Sequence, residues 1–85
     1  MNSDVFASYL TATGTAVAGK SRVKGALVTG TGTAVFRDGG ASGTTRLTLN
    51  AAATQSVVIP ENGILFNTDV HVTIAGLTAI TVFYG

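Results

Sequence analysis

The chain has 85 residues, no cysteine and a formal net charge of +1, and only 11% of its residues are charged. A chain of this length is expected to form one domain, residues 1–85. The lack of cysteine excludes disulfides and thiolate-bound metals, the near-neutral charge gives no broad field for nucleic acid, and no apolar run approaches the roughly 20 residues of a membrane helix.

Apolar and polar residues alternate with a period of two, interrupted by turn residues, which is typical of antiparallel β proteins. Residues 1–5 are expected to form a flexible N-terminal arm. The predicted strands cover residues 6–13, 22–28, 33–37, 44–49, 55–59, 64–66, 70–75 and 78–84, and the predicted turns cover 38–43, 60–63, 67–69 and 75–77. The pattern predicts an all-β fold, a small antiparallel β-sandwich or barrel of about seven to eight strands with jelly-roll or Greek-key-like order.

Alternation also divides the side chains between an inward and an outward face. The predicted core contains Val23, Leu27, Phe36, Leu47, Leu49, Val57, Ile59, Ile64, Phe66, Val70, Val72, Ile74, Ile80, Val82 and Tyr84. The predicted outward set contains Arg22, Lys24, Arg37, Arg46, Thr48, His71, Thr73 and Thr81.

The low charge content points to contact with other protein chains. Soluble domains average about 25% charged residues, whereas threonine, alanine and glycine fill the exposed positions of this sequence. Strand edges are commonly guarded by lysine, proline or inward charges, and the chain has one proline and two lysines. A small domain without disulfides or metals gains stability by association. A homo-oligomer is therefore expected, for example a trimer.

Residues 14–21, Gly-Thr-Ala-Val-Ala-Gly-Lys-Ser, match the P-loop pattern G-x-x-x-x-G-K-[ST]. The phosphate-binding mechanism of a P-loop requires a helix that begins at the Lys-Ser pair. Here residues 22–28 alternate like a strand, and no segment resembles a strand that ends in a magnesium-binding aspartate. The segment is therefore expected to be a glycine-flanked turn with an exposed lysine.

The remaining polar residues do not form a recognisable catalytic or metal-binding pattern. His71 has Asp69 nearby but no serine in a nucleophile setting, so it is expected to face solvent or an interface. Asp38, Glu61 and Asp69 lie in predicted turns and lack the spacing of calcium ligands. We expect no enzymatic activity, no cofactor and no metal.

The basic residues are the candidate interface. Arg22, Lys24, Arg37 and Arg46 are expected to project from neighbouring strands on one face, with His71 as a further contact residue. Such a group would bind phosphate or form salt bridges at the rim of a protein partner.

The turn and strand motifs at residues 22–25, 38–44, 59–66 and 82–85 carry a family resemblance. Over residues 9–85 the chain resembles the small, Gly/Thr-rich all-β virion proteins of tailed phages of marine bacteria, especially short-tailed phages of cyanobacteria. The resemblance implies a component of the phage particle that is present in many copies. It carries over no catalytic or binding residue.

Three functional hypotheses follow. The leading one is a non-enzymatic phage virion structural protein, a capsid decoration or cement protein that is assembled in the host cytoplasm and binds the major capsid protein or other virion proteins. Within the same class, the alternative is a tail- or fibre-associated virion protein. The second class is a host-glycan-binding β-sandwich module. The third class is a nucleotide-dependent enzyme that uses the P-loop match.

Overall fold

A computed structural model describes residues 6–59 and 63–85. The expected arm at residues 1–5 and residues 60–62 of a predicted turn, including Glu61, lie outside the described residues. The described part of the chain forms seven strands and no helix, and therefore no helix that could span a membrane. The strands are β1 Phe6–Leu10, β2 Gly14–Val17, β3 Ser21–Asp38, β4 Thr44–Ala51, β5 Gln55–Val58, β6 Ile64–Phe66 and β7 Val70–Tyr84.

All seven strands belong to one antiparallel sheet. The main strand order is β1-β7-β3-β4, with β2 also paired to β7 and with β5 and β6 also paired to β3. The ladder does not close into a barrel, because it begins at β1 and ends at β4. The prediction of an all-β antiparallel fold is confirmed.

Two long strands take the place of four predicted ones. Residues 22–28 and 33–37 belong to β3, and residues 70–75 and 78–84 belong to β7. The prediction of a turn at 75–77 is wrong, because β3 and β7 stay paired across this region through shifts of register. Gly76 has φ +84° within β7, so glycine here provides a local bend inside a strand and not a chain reversal.

The long strands bend sharply where the register shifts, at Gly30 and Gly32 of β3 and at Gly76 of β7. An extended strand of 18 residues would span about 60 Å, whereas the longest dimension of the molecule is 35 Å. Ser21, at the start of β3, pairs with Phe66, and the next residue, Asn67, donates its backbone N–H to Asp38 at the end of β3. The two ends of β3 therefore lie on either side of the same short segment.

The bend divides the sheet into two halves. The first half-sheet contains β1, the C-terminal part of β7, the N-terminal part of β3, and β5 and β6. The second half-sheet contains β2, the N-terminal part of β7, the C-terminal part of β3, and β4. Backbones approach closely at the bend, since a Cβ added to Gly32 would collide with the carbonyl oxygen of Ala75.

Both half-sheets contribute to one buried cluster. The fully buried members of largest volume are Phe36, Phe66, Ile80, Val23, Val28, Val70, Val72 and Val82. Leu47, Leu49, Ile59, Ile64 and Ile74 are partly buried against this cluster. Each fully buried apolar side chain of this size contributes about 1.5 to 3 kcal/mol to folding, so the cluster is the main source of stability.

The predicted core was wrong at Leu27, which is 38% exposed, while its neighbours Ala26 and Val28 are buried. The cause is a bulge. Val23 pairs with Tyr84 and Gly25 pairs with Phe83, which leaves Lys24 as an extra residue. One extra residue inverts the alternation that follows it, so the inward positions move from Leu27 to Ala26 and Val28.

Candidate functional site

The outer face of the first half-sheet exposes apolar side chains. Val82, Ala26 and Val28 are buried on the inner face, so the residues between them point outward. Directly paired residues share a face, which extends the outer set across four strands. We define the uncharged outer surface as Ala7 and Tyr9 of β1, Thr81 and Phe83 of β7, Gly25 and Leu27 of β3, and Ser56 and Val58 of β5. Gly25 is the one buried member of this set.

Three of these residues are large, apolar and open to solvent. Val58 is 82% exposed, Tyr9 is 66% exposed and Leu27 is 38% exposed. None of the eight residues carries a charge at neutral pH. Such a surface loses apolar area to a partner without the desolvation cost of buried charges, and exposed aromatic residues are enriched at protein interfaces.

The sequence analysis did not single out these three residues as functional. Leu27 was assigned to the core because the bulge at Lys24 is not visible in the alternation. Val58 lies between the predicted core residues Val57 and Ile59, so alternation places it outward, whereas Tyr9 belonged to neither the predicted core nor the predicted outward set. The sequence did contain one signal for this surface: β1 and β5 contain no charged residue, so no charged side chain occupies their outward positions.

His71 is buried, and the expectation of a solvent-facing side chain is wrong. It lies between two paired strands, opposite Thr15 of β2 and Arg37 of β3. Only 9% of its surface is exposed. Within the described residues, neither His71 Nδ1 nor the neighbouring Arg37 Nε has a hydrogen-bond partner, and both atoms are buried.

Arg37 and Arg46 are both bonded to neighbours within the chain. Arg37 Nη1 donates to Thr45 Oγ1 at 3.0 Å. Arg46 Nη2 donates to Asp38 Oδ2 at 3.3 Å, in an ion pair that leaves Arg46 40% exposed and Asp38 5% exposed. These arginines are therefore partly used to hold the second half-sheet together.

Asp38 is held mainly by backbone donors. The N–H of Asn67 donates to Oδ2 at 2.9 Å, and the N–H of Thr68 donates to Oδ1 at 2.8 Å. These two bonds lower the pKa of Asp38 below its ordinary value of 3.8, and the bond from Asn67 has the larger effect. Burial of the carboxylate acts in the opposite direction, and the bond from Arg46 lowers the pKa further. The carboxylate thus links the end of β3 to the β6–β7 connection.

The five candidate interface residues fall into two groups. Arg37, Arg46 and His71 lie in the second half-sheet and are brought together around β3 and β4. Arg22 and Lys24 lie in the first half-sheet, where Arg22 pairs with Leu65 and Lys24 is the bulged residue. Contact of either group with a partner stays a prediction.

The P-loop pattern lacks its structural context. Gly14–Val17 is strand β2, residues 18–20 form a bend, and strand β3 begins at Ser21, where the mechanism requires a helix. The predicted turn is therefore shorter than expected, because the first half of the motif pairs with β7. Lys20 is exposed, as predicted.

Phe6, which is exposed, and Tyr84, which is half-buried, form an aromatic contact at one end of the first half-sheet. Their ring centroids are 5.6 Å apart, their planes are inclined by 33°, and Phe6 is 53% exposed.

The part of the chain that the structure describes has no pocket and no group of three His, Asp or Glu side chains that could hold a metal ion. Comparisons with protein-family models, with curated proteins and with solved structures find no match.

Proposed function

We propose that this chain is a non-enzymatic structural protein of a phage particle, a capsid decoration or cement subunit that binds the head lattice as an oligomer. The observation that carries the proposal is the uncharged outer surface, with Tyr9, Leu27 and Val58 exposed. The resemblance to small Gly/Thr-rich virion proteins supports the choice of a phage particle as the structure to which the chain binds. In this proposal the partner is the major capsid protein or another virion protein.

The area of the chain suits this role. A specific interface of standard size buries about 800 Å² on each partner, and the chain exposes 4430 Å² in total. One such interface would occupy less than a fifth of the surface. A rigid β module can therefore contact the lattice and a second copy of itself at the same time.

The finer description of the fold as a small β-sandwich belongs to the same proposal. It is supported by the buried cluster to which both half-sheets contribute. Two sheets that pack face to face around a common core are the usual form of such modules.

Binding to phage heads assembled without this subunit tests the proposal. The wild-type chain should cosediment with the heads at a copy number that matches positions of the shell lattice. Val58→Asp should weaken binding at least tenfold, because burying an unpaired carboxylate costs more than the 1.4 kcal/mol that corresponds to a factor of ten. Thr48→Asp is the matched control, since Thr48 is also an exposed strand residue but lies in β4.

The same measurement separates the head from the tail. A copy number that matches the tail or the portal would favour the alternative of a tail- or fibre-associated protein. Failure of the chain to bind any virion component would contradict the proposal.

The second candidate, a host-glycan-binding module, is favoured by the Phe6–Tyr84 contact, in which Phe6 is exposed, because aromatic rings stack on sugars. Their inclined planes form a smaller platform than two coplanar rings would. A glycan array checks this candidate: selective binding that is lost in Phe6→Ala and kept in Val58→Asp would support it over the lattice-binding role.

A further inference from the structure

The edges of the sheet differ in how they are guarded against pairing with other chains. β2 and β4 each contain a bulge, between Thr15 and Val17 in β2 and opposite Phe36 and Arg37 in β4, and β4 also carries Arg46. Bulges and charges are devices that protect edge strands. β1 and β5 have a regular register and no charged residue or proline. β6, another edge strand, also lacks a bulge and a charge, but it has only three residues, and very short edge strands are protected by their length. β1 and β5 are therefore the unguarded edges of the described sheet.

The two unguarded edges belong to the same half-sheet and lie on opposite sides of it. Reading across the strands, Ala7 of β1, Phe83 of β7, Gly25 of β3 and Val58 of β5 form one row of directly paired residues. The next rows end on Ser8 and Val57, on Tyr9 and Ser56, and on Leu10 and Gln55. β1 and β5 therefore cover the same four rows, and β1 extends one residue further, to Phe6.

Strand direction also permits a repeat. β1 runs antiparallel to β7, β7 to β3, and β3 to β5, so β1 and β5 point in opposite directions. A second copy placed beside the first in the same orientation would set its β5 antiparallel to β1. The half-sheet has four strands in these rows, an even number, so the alternation of hydrogen-bonded and non-hydrogen-bonded pairs continues in phase across the junction.

We infer that β1 of one copy pairs with β5 of a second copy, antiparallel and with Ala7 opposite Val58, so that copies add head to tail. The inference rests on the proposed function as a subunit present in many copies. The pairing joins the uncharged outer surfaces of successive copies, with Tyr9 of one copy opposite Ser56 of the next. Head-to-tail pairing generates a ring where the rotation per copy closes and a filament where it does not.

Paired cysteines test the register, because the natural chain contains none. In the double variant Ala7→Cys with Val58→Cys, the two thiols of one chain are three strand spacings apart, about 14 Å, which is too far for a disulfide. Oxidation should therefore produce a ladder of covalent oligomers. Each single variant should stay monomeric on a denaturing gel, because head-to-tail pairing does not place a residue opposite its own copy.

A lysine guard tests the edges without cysteine chemistry. Ala7→Lys on β1 and Ser56→Lys on β5 should each shift the purified chain to the monomer mass in light scattering. Thr48→Lys, on the already guarded β4, should leave the mass unchanged. Far-UV circular dichroism is the control that each variant should pass, by showing the same β structure as the wild type.

Two results would overturn the inference: a wild-type chain that is monomeric at every concentration, or a disulfide formed by either cysteine alone, which would indicate pairing of β1 with β1 or of β5 with β5. A monomer that still binds phage heads would remove this inference and the oligomeric state in the proposed function, and would leave the proposed binding to the head lattice intact. Head-to-tail oligomers that bind no virion component would support the pairing of β1 with β5 and would contradict the proposed function.

Discussion

Two aspartates link the β3–β4 loop to the β6–β7 connection: Asp38, next to the first segment, binds the second, and Asp69, in the second segment, binds the first. Asp38, before the β3–β4 loop, accepts hydrogen bonds from the N–H groups of Asn67 and Thr68 in the β6–β7 connection. Asp69, in that connection, accepts at Oδ1 from the N–H groups of Gly39 and Gly40 in the β3–β4 loop, both at 3.0 Å. The reciprocal bonds fasten the two half-sheets at the end opposite the bend.

Replacing Asp69 removes both bonds to the β3–β4 loop. We expect Asp69→Ala to lower the free energy of unfolding by about 1.5 to 3 kcal/mol, the range for hydrogen bonds to a charged acceptor. Asp69→Asn is the matched control, because its amide oxygen still accepts and its loss should be smaller. Urea denaturation measures both, and an Asp69→Ala midpoint equal to that of the wild type would contradict the role of this carboxylate.

The lowered pKa of Asp38 predicts a pH dependence of stability. Because the folded pKa lies below the ordinary value of 3.8, the unfolded chain binds more protons between the two values. The contribution of Asp38 is therefore fully present above pH 3.8 and is lost as the pH falls from there through the folded pKa. Urea midpoints measured on both sides of pH 3.8 should fall more steeply for the wild type than for Asp38→Asn, and parallel profiles would refute the link.

At the scale of elements, the bend in the long strands depends on glycine. Gly76 has φ +84°, a region that residues with a Cβ rarely adopt, and an added Cβ would lie 2.8 Å from the carbonyl oxygen of Thr31. At this point β7 crosses from one half-sheet to the other while it stays paired with β3. Strain here therefore acts on both half-sheets.

Alanine at two glycines separates conformational strain from strand propensity. Gly76→Ala should lower the free energy of unfolding by about 1 to 3 kcal/mol, the cost of a strained φ together with the close contact. Gly14→Ala is the control, because Gly14 has an ordinary φ and open space around the added Cβ. It should change stability by less than about 1 kcal/mol, towards greater stability. Equal thermal melts for the two variants would contradict the role given to the bend.

The sequence predicts the strand-forming segments better than it predicts their faces. Alternation correctly assigned residues such as Phe36, Val72 and Val82 to the core, because they lie in regular stretches of ladder. It failed at Leu27, where a bulge reverses the two faces of the strand. It also failed at Gly76, where the sequence predicts a turn but glycine bends a strand that continues. The burial of His71 was also missed, because it depends on the strands that pair on either side of it.

At the scale of the whole molecule, the chain is compact without a partner. Its exposed area is 4430 Å², close to the roughly 4,700 Å² expected of a folded monomer of this mass. The single buried cluster draws on both half-sheets, so neither half has a core of its own. If the chain forms the proposed oligomer, association would add contacts to a chain that is already compact.

The shared core predicts a single unfolding transition. Val82→Ala in the first half-sheet and Phe36→Leu in the second, both at fully buried positions, should shift the same transition, Val82→Ala by about 2 kcal/mol or more. Far-UV circular dichroism and tyrosine fluorescence should give coincident urea curves for each variant. Two separate transitions, each sensitive to only one variant, would show that the half-sheets fold independently.

The pairing of Phe6 with Tyr84 has a consequence for biosynthesis. The ribosome makes β1 first and its partner, the C-terminal part of β7, last, and at about 5 to 20 residues per second the interval is about 4 to 16 seconds. During that time the nascent β1 has no strand of its own chain to bind. Newly made copies on neighbouring ribosomes would then expose the same short apolar segment at the same time, before the strand that covers it has been made.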